Sequence, residues 1–591
     1  MVLIGIVFFN CNDCIFLLVY KTLSMSKLDW SILIITLVGI ILYGIYKSRT
    51  TKNLEGYFLS NRSMPWYMVL LSIMGTQASA ITFLSAPGQA FTDGMRFVQY
   101  YFGLPLAMIV ISISFVPLFN KLKVFTAYEF LEQRFDAKTR VLTSSLFLVS
   151  RALSTGISIY APSIILSSLM GWDIFYTNIV MGGLLIVYTV TGGAKAVAYT
   201  QQLQLLIIFI GMFIAGYLIV HHLPENIGFN EALKISGASG KLNVITTGFT
   251  QKGFDWKDKY NIISGIIGGF FLALSYFGTD QSQVGRYLTA QNNTQSRMGL
   301  LVNGLVKVPM QFAILLIGAL LFTFYQFHPS PIFFNKAVEE KALQTPYKDS
   351  LLAIKYQFDD QQMNQQANSQ LYIIQQSNQY KDSIQLGAIQ MNQLKKEYKT
   401  ILEKAVPGAD TNDTNYIFLR FVVDFLPKGL VGLLIAIIFL AAWGSIAAAL
   451  NALASSTMVD FHCRYFTNNA LSPEALDAAQ FRYSKLYTFA WGVFCVITAE
   501  IATGMGSLIE AVNVLGSLFY GVILGIFIIA FYCKKIQGNA VFNAAIVGEL
   551  FVISLFLLDK YHVIGLGFLW LNVAGALAVV FLGWCFSFFK R

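Results

Sequence analysis

Residues 68–94, MVLLSIMGTQASAITFLSAPGQAFTDG, decide how the rest of the chain is read. They begin like a membrane span, with Val69, Leu70, Leu71, Ile73 and Met74 close together. They then turn small and polar at Gly75, Thr76, Gln77, Ser79 and Thr82, where a span should be most apolar. Pro87 and Gly88 follow, and they break a continuing helical ladder. In hydrocarbon an unpaired backbone carbonyl is costly, so a broken helix survives only where its freed groups line a cavity or hold an ion. An interrupted helix at mid-membrane therefore predicts a binding site. The plain alternative is a small-residue face packed against a neighbouring helix.

The composition supports the membrane setting. Of 591 residues, 56% are hydrophobic and 12% charged, against about 25% charged in soluble domains. Mean hydropathy is +0.60, and apolar runs of about 18 residues or more recur throughout. The chain reads as an all-α polytopic membrane protein. Its net charge of +10 suggests nucleic acid, but basic cytoplasmic loops explain it in a membrane protein. Cys11, Cys14, Cys463, Cys495, Cys533 and Cys585 are scattered; the lone Cys11/Cys14 pair lacks the second pair that a zinc site needs. Residues 236–243, SGASGKLN, lack P-loop spacing, and the five histidines fall in no metal-ligating cluster. An enzyme or an ATP-driven pump is not expected.

Residues 1–27 form an N-terminal extension. The first 24 are apolar but interrupted by Asn10, Asn12 and Asp13, and they lack the basic region and cleavage site of a signal peptide. MSKLDW, from Met25, looks like a more usual start. Beyond it, about thirteen spans are expected from apolar length, near 28–47, 66–92, 97–119, 138–169, 173–191, 199–221, 260–283, 297–326, 428–458, 482–503, 509–532, 540–558 and 562–588. Alternate loops are basic: Lys47, Arg49, Lys52 and Arg62; Lys121, Lys123, Arg134, Lys138 and Arg140; Lys195; Arg286 and Arg297; Arg464 and Arg482; Lys534 and Lys535. The positive-inside bias puts the N-terminus outside and the C-terminus, ending Lys590-Arg591, in the cytoplasm. Residues 328–427 are polar and Gln/Asn-rich, with apolar residues such as Leu351, Leu352, Ile354, Ile384, Leu394 and Ile401 at helix-like spacing. They predict a two- or three-helix extracytoplasmic cap, or else a floppy insertion.

Few ionisable residues fall inside spans. Arg151, Lys307 and Asp280 do, and a charge in the bilayer is a functional hypothesis by default. The bland reading of Arg151 and Lys307 is snorkelling or pairing near the cytoplasmic ends of long tilted helices. The ninth span, FLAAWGSIAAALNALASSTMVDF at 439–461, is a second small-residue stretch. Ala441, Ser445, Ala448 and Ala452 share one helical face. A Ser hydroxyl together with carbonyls from a broken helix makes an all-oxygen cage for a small hard cation such as Na+. Alone, such a helix is more simply a packing face.

Five ordered motifs carry a resemblance: TAYEFLEQRFDAKTR (126–140), IYAPSIIL (159–166), TGGAKAVAYTQQLQ (191–204), DQSQVGRYLT (280–289) and AAWGSIAAALNALASSTMVD (441–460). Together they resemble the sodium/solute symporter family, whose members carry sugars, proline, sialic acid, iodide, vitamins and monocarboxylates with sodium. The likeness runs from about residue 28 to 535, apart from 328–427. It implies a five-plus-five inverted repeat: 65–221, then 260–327 with 428–535. Residues 28–47 would be an extra first span, 222–259 an external loop and 536–591 extra C-terminal spans.

Carried over by motif, the resemblance puts a sodium site on the carbonyls of Gly75, Ala78 and Ala441, with side-chain ligation from positions 444 and 445. Ser445 keeps its hydroxyl; Gly444 stands where the family usually has one. Gln201 stands where the family has an Asp linked to sodium exit or an additional sodium. Ala447 and Ala448 lack the hydroxyls of members that bind that extra ion, so one cation per solute is expected. The implied solute contacts are Gln77, Ser79 and Thr82, then Phe97 and Tyr101, then Ser154, with Tyr276 as an aromatic inner gate. Arg151, about one turn from Ser154, is a possible anion partner. An organic anion such as sialic acid or a monocarboxylate is favoured over a neutral sugar if Arg151 reaches the pocket. The expected function is Na+-coupled symport in a cell membrane, with the monomer sufficient; the alternative is an uncoupled facilitator or solute sensor on the same fold.

Overall fold

Apolar sequence in a bilayer must satisfy every backbone group within its own segment, so helices follow directly from the composition. A computed structural model describes residues 25–48, 53–466, 472–501 and 508–588. The expectations for residues 1–24, including Cys11 and Cys14, and those for Arg49, Lys52, Lys590 and Arg591 lie outside the described residues. Among the described residues nine helices are long and apolar enough to cross a membrane, or ten with one bent pair counted as a span.

The chain opens with α1 (Lys27–Ser48). The bent pair follows, α2 (Trp66–Gln77) and α3 (Ala80–Asp93), turned by 61°. Then come α4 (Met95–Leu122), α5 (Ala137–Met170), and α6 (Ile174–Val190) and α7 (Gly192–His221), which meet at Gly193. The second half starts with α8 (Ser264–Thr279), α9 (Gln281–Tyr287) and α10 (Asn293–Phe327). A hairpin of α11 (Lys348–Gln375) and α12 (Asn378–Ala405) leads to α13 (Leu430–Ser456). The chain closes with α14 (Pro473–Ile501), α15 (Leu508–Tyr532), α16 (Gly538–Lys560) and α17 (Leu569–Phe588). Short polar side chains start several of these helices by accepting an orphan N–H: Asp136 from Thr139 at α5, Asn292 from Gln295 at α10, and Asp280 from Ser282 at α9.

Two breaks differ from the sequence expectation. Pro87 and Gly88 do not end a helix; α3 runs through them to Asp93, and the interruption falls earlier, at Ala78 and Ser79. Pro87 costs one ladder bond, while Gly88 lets another backbone in: a Cβ there would stand 2.0 Å from the Thr414 carbonyl oxygen. The expected span 260–283 is likewise not continuous, since Asp280 is extended (ψ 119°) between α8 and α9. Among the described residues, α2–α3 and α8–α9 are thus two interrupted helices.

Helix α13 lies at the centre, buried from Leu434 to Ser456, as expected of a helix apolar all round. Its small residues let α2, α5 and α7 pack closely on it. The basic loops gather at one end of the bundle. Arg62 donates to the Lys123 and Val124 carbonyls, Gln291 to that of Ser63, and Arg134 to that of Lys534. Asp460, buried at the end of the ninth span, accepts from Arg140, Thr126 and Ser144. At the opposite end Asp29 accepts from the backbone of Gly429 and Gly432. There the α11–α12 hairpin closes on its own seam of Leu351, Phe358, Met391, Tyr398 and Leu402. Gln385 ties that hairpin to the Ala238 carbonyl.

Candidate functional site

The break between α2 and α3 exposes two carbonyls by a specific rearrangement. In a continuing helix the Ser79 N–H would bond the Gly75 carbonyl, and the Thr82 N–H that of Ala78. Here Ser79 bonds Gln77 (3.1 Å) and Thr82 bonds Ser79 (3.0 Å). The carbonyls of Gly75 and Ala78 are thus released at the negative end of a helix dipole, where a cation is favoured.

Gln201, fully buried on α7, joins this break to α13. Its side-chain oxygen accepts from the Ser72 hydroxyl (2.9 Å), and its amide nitrogen donates to Thr76 Oγ1 (3.3 Å) and to the Gly444 carbonyl (3.0 Å). A Cβ at Gly75 would meet the Gln201 side chain at 2.9 Å, so α2 and α7 touch with nothing between them. Ser445 donates to the carbonyls of Ala441 (3.1 Å) and Ala442 (3.0 Å), which leaves its oxygen lone pairs to accept. Gly75 and Gly444, each expected at the cation, therefore both contact one amide side chain.

A cavity of about 100 Å³ opens beside the break, lined by Gln77, Ser79, Thr82, Tyr101, Arg151 and Tyr276 among others. On that measure a single water needs only about 10–15 Å³, so there is room for a small organic solute. Of the bland reading of Arg151 and Lys307, snorkelling or pairing, Arg151 takes the pairing and Lys307 does neither. Arg151 is buried in the cavity wall, ion-paired with Asp280 and donating to the Tyr520 hydroxyl (2.7 Å). Tyr520 in turn donates to Asp280 (2.9 Å), and the guanidinium lies 5.3 Å from the Tyr276 ring centre. Gln283 donates to the Tyr276 hydroxyl (2.8 Å), so this ring is fixed from the second interrupted helix.

Lys307 is fully buried on α10 with no hydrogen-bond partner among the described residues. Its amino group stands 5.5 Å from the ring centre of Tyr101, one of the cavity-lining residues. The arginine–aspartate pair is neutral overall, and the lysine is a second basic group near the wall.

Phe97 and Ser154, expected at the solute, stand behind the lining. Phe97 stacks on Tyr100 (5.5 Å between ring centres), and the Ser154 hydroxyl is spent on the Ser150 carbonyl (2.8 Å) one turn back. Residues the sequence reading did not single out complete the wall: Tyr100, whose hydroxyl donates to Asn513 (3.0 Å), and Tyr520. Both Asn513 and Tyr520 come from α15, which carries no small-polar interruption that could have flagged it.

The sodium:solute symporter family model matches residues 57–344 and 383–548. The stretch left out, 345–382, holds α11, so part of the 328–427 segment lies within the match. The sodium/sialic acid symporter SiaT of Proteus mirabilis is 25% identical over 563 residues, 94% of each chain. The human sodium/iodide cotransporter is 28% identical over 277 residues, 46% of this chain and 41% of that one. A solved structure of a Na+-coupled sialic acid symporter, substrate-bound and outward-open, superposes with a TM-score of 0.72 at 23% identity, covering 95% of this chain and 98% of that one.

Proposed function

Because the chain belongs to the sodium:solute symporter family, we propose that it carries a small organic anion across a cell membrane with one Na+, by alternating access. The observation that carries the anion is the basic group in the cavity wall: the Arg151 guanidinium lines the cavity beside Tyr276 and Tyr520, braced by Asp280. A carboxylate in the cavity would find a charged hydrogen-bond donor in that guanidinium.

In this reading Na+ is held by the carbonyls of Gly75, Ala78 and Ala441 and the Ser445 hydroxyl, with Gly444 beside them offering no side chain. The solute meets Gln77, Ser79, Thr82, Tyr101, Arg151 and Tyr276, with Phe97 and Ser154 supporting the wall. Both sites share the α2–α3 break, so filling one orders the backbone of the other, and each ligand raises the other's affinity. Inward release follows when Tyr276 swings from the cavity floor. Two interrupted helices, one opening each half, support an inverted repeat of 65–221 against 260–327 with 428–535. A count of about thirteen spans follows if the shorter α6 and α8 and the more polar α14 also cross. The basic loops would then face the cytoplasm, with the N-terminus and the 328–427 cap outside.

Charge arithmetic supplies the test. One Na+ with a monovalent anion moves no net charge, whereas one Na+ with a neutral sugar gains about 2.3 kcal/mol per 100 mV. Uptake of sialic acid, short monocarboxylates and sugars is measured in proteoliposomes with a Na+ gradient, with and without an imposed potential. Na+-dependent uptake of an acid that ignores the potential is expected. Sugar uptake accelerated by a negative interior would overturn the anion reading. Ser445→Ala should raise the half-saturating Na+ concentration, and unchanged Na+ dependence would remove the cation site.

A further inference from the structure

Residue 444 has no side chain, yet the space beside it is filled. A Cβ built on Gly444 would stand 2.6 Å from the side-chain oxygen of Gln204. Gln204 lies one turn along α7 from Gln201, on the same face, and is 2% exposed. Its amide nitrogen has no hydrogen-bond partner among the described residues. If filling space were its whole role, an apolar side chain would serve better, because a stranded buried polar group is destabilising. The adjacent Gly444 carbonyl accepts from Gln201, and Ser445 follows. An amide oxygen is thus turned onto the part of α13 where oxygen ligands converge.

We propose that Gln204 is a ligand of the sodium site, its side-chain oxygen supplying the contact that residue 444 cannot. The proposal rests on the cation reading above and adds to it a ligand from α7. A neutral amide carbonyl is a suitable oxygen for a hard monovalent cation, in the way backbone carbonyls are in ion filters. It also explains the glycine: the amide oxygen and a side chain at 444 are mutually exclusive, so the site has one or the other. Sodium held this way ties α7 to α13 as well as to the α2–α3 break.

The test is binding of ²²Na+ to the purified full-length protein in detergent. Gln204→Ala removes the oxygen, and Gly444→Ser alone drives a new Cβ into Gln204; each should raise the half-saturating Na+ concentration about tenfold. The double variant Gln204→Ala/Gly444→Ser frees the space and returns a hydroxyl, so it should recover to within about threefold of the parent, a non-additivity expected only of groups in contact. Recovery in the double variant also shows that the single variants had not merely misfolded. Unchanged Na+ binding in Gln204→Ala, or a double variant as weak as the worse single one, would overturn the proposal. Ser445→Ala is measured alongside. If it weakens Na+ binding while Gln204→Ala does not, only the role of Gln204 falls; if neither changes binding, the cation site itself falls.

Discussion

Replacing Asp280 by Asn isolates the charge in the cavity wall. Asp280 accepts from Arg151, from Tyr520 (2.9 Å), and from the Ser282 backbone (2.8 Å) and hydroxyl (2.6 Å). Asn caps a helix as well as Asp does, so the start of α9 is retained and only the counter-charge is lost. Removing one partner of a buried ion pair costs about 3–5 kcal/mol. The Arg151 side chain is 11% exposed, towards the cavity, so the lower end, about 3 kcal/mol, applies. With about 2.1 cal/mol/K of unfolding entropy per residue over 591 residues, or about 1.2 kcal/mol/K, the melting midpoint in detergent should fall by about 2 °C. A carboxylate solute then pairs with the released guanidinium, so it should stabilise the variant more than the parent, and its neutral amide should not. A midpoint unchanged by the substitution, or equal rescue by acid and amide, would refute this account of the wall.

Three further outcomes are expected. Gln201→Leu cuts the bridge from α7 to α2 and to the Gly444 carbonyl and leaves the Ser72 hydroxyl without its acceptor, at a cost of about 1–3 kcal/mol, so half-saturating Na+ in uptake assays should rise about tenfold; no shift would mean that the amide bridge is incidental. Gln77→Ala should weaken solute binding more than Na+ binding, read by titrating each ligand at saturating levels of the other; the reverse order counts against the cavity assignment. Burial lowers the Lys241 ammonium from 10.5 to about 8, opposed by nearby Asp93. Between those values the unfolded chain holds a proton that the folded chain lacks, so this lysine makes stability rise with pH across that window. Lys241→Met should flatten the rise in melting midpoint from pH 8 to pH 10; an identical rise in the variant would show that the lysine is not the source.

The helical membrane class, the interruption near residue 78 and the small-residue ninth span were all legible in the sequence, because composition and local periodicity carry them. So was the grouping of basic loops, which needs only alternation along the chain. The exact break was not legible: Pro87 is the stronger local breaker, yet the helix opens at Ala78 and Ser79 and runs on through Pro87 and Gly88, where the Thr414 backbone packs from far along the chain. Asp280 reads locally as the end of a span, and only folding sets it against Arg151, 129 residues earlier. The same holds for Gln201 and Gln204 against Gly444 and for Lys307 beneath Tyr101. A helix's periodicity says which residues share a face; which face meets which neighbour is settled by how helices distant in sequence pack together, and that packing set these charged and amide side chains against their partners.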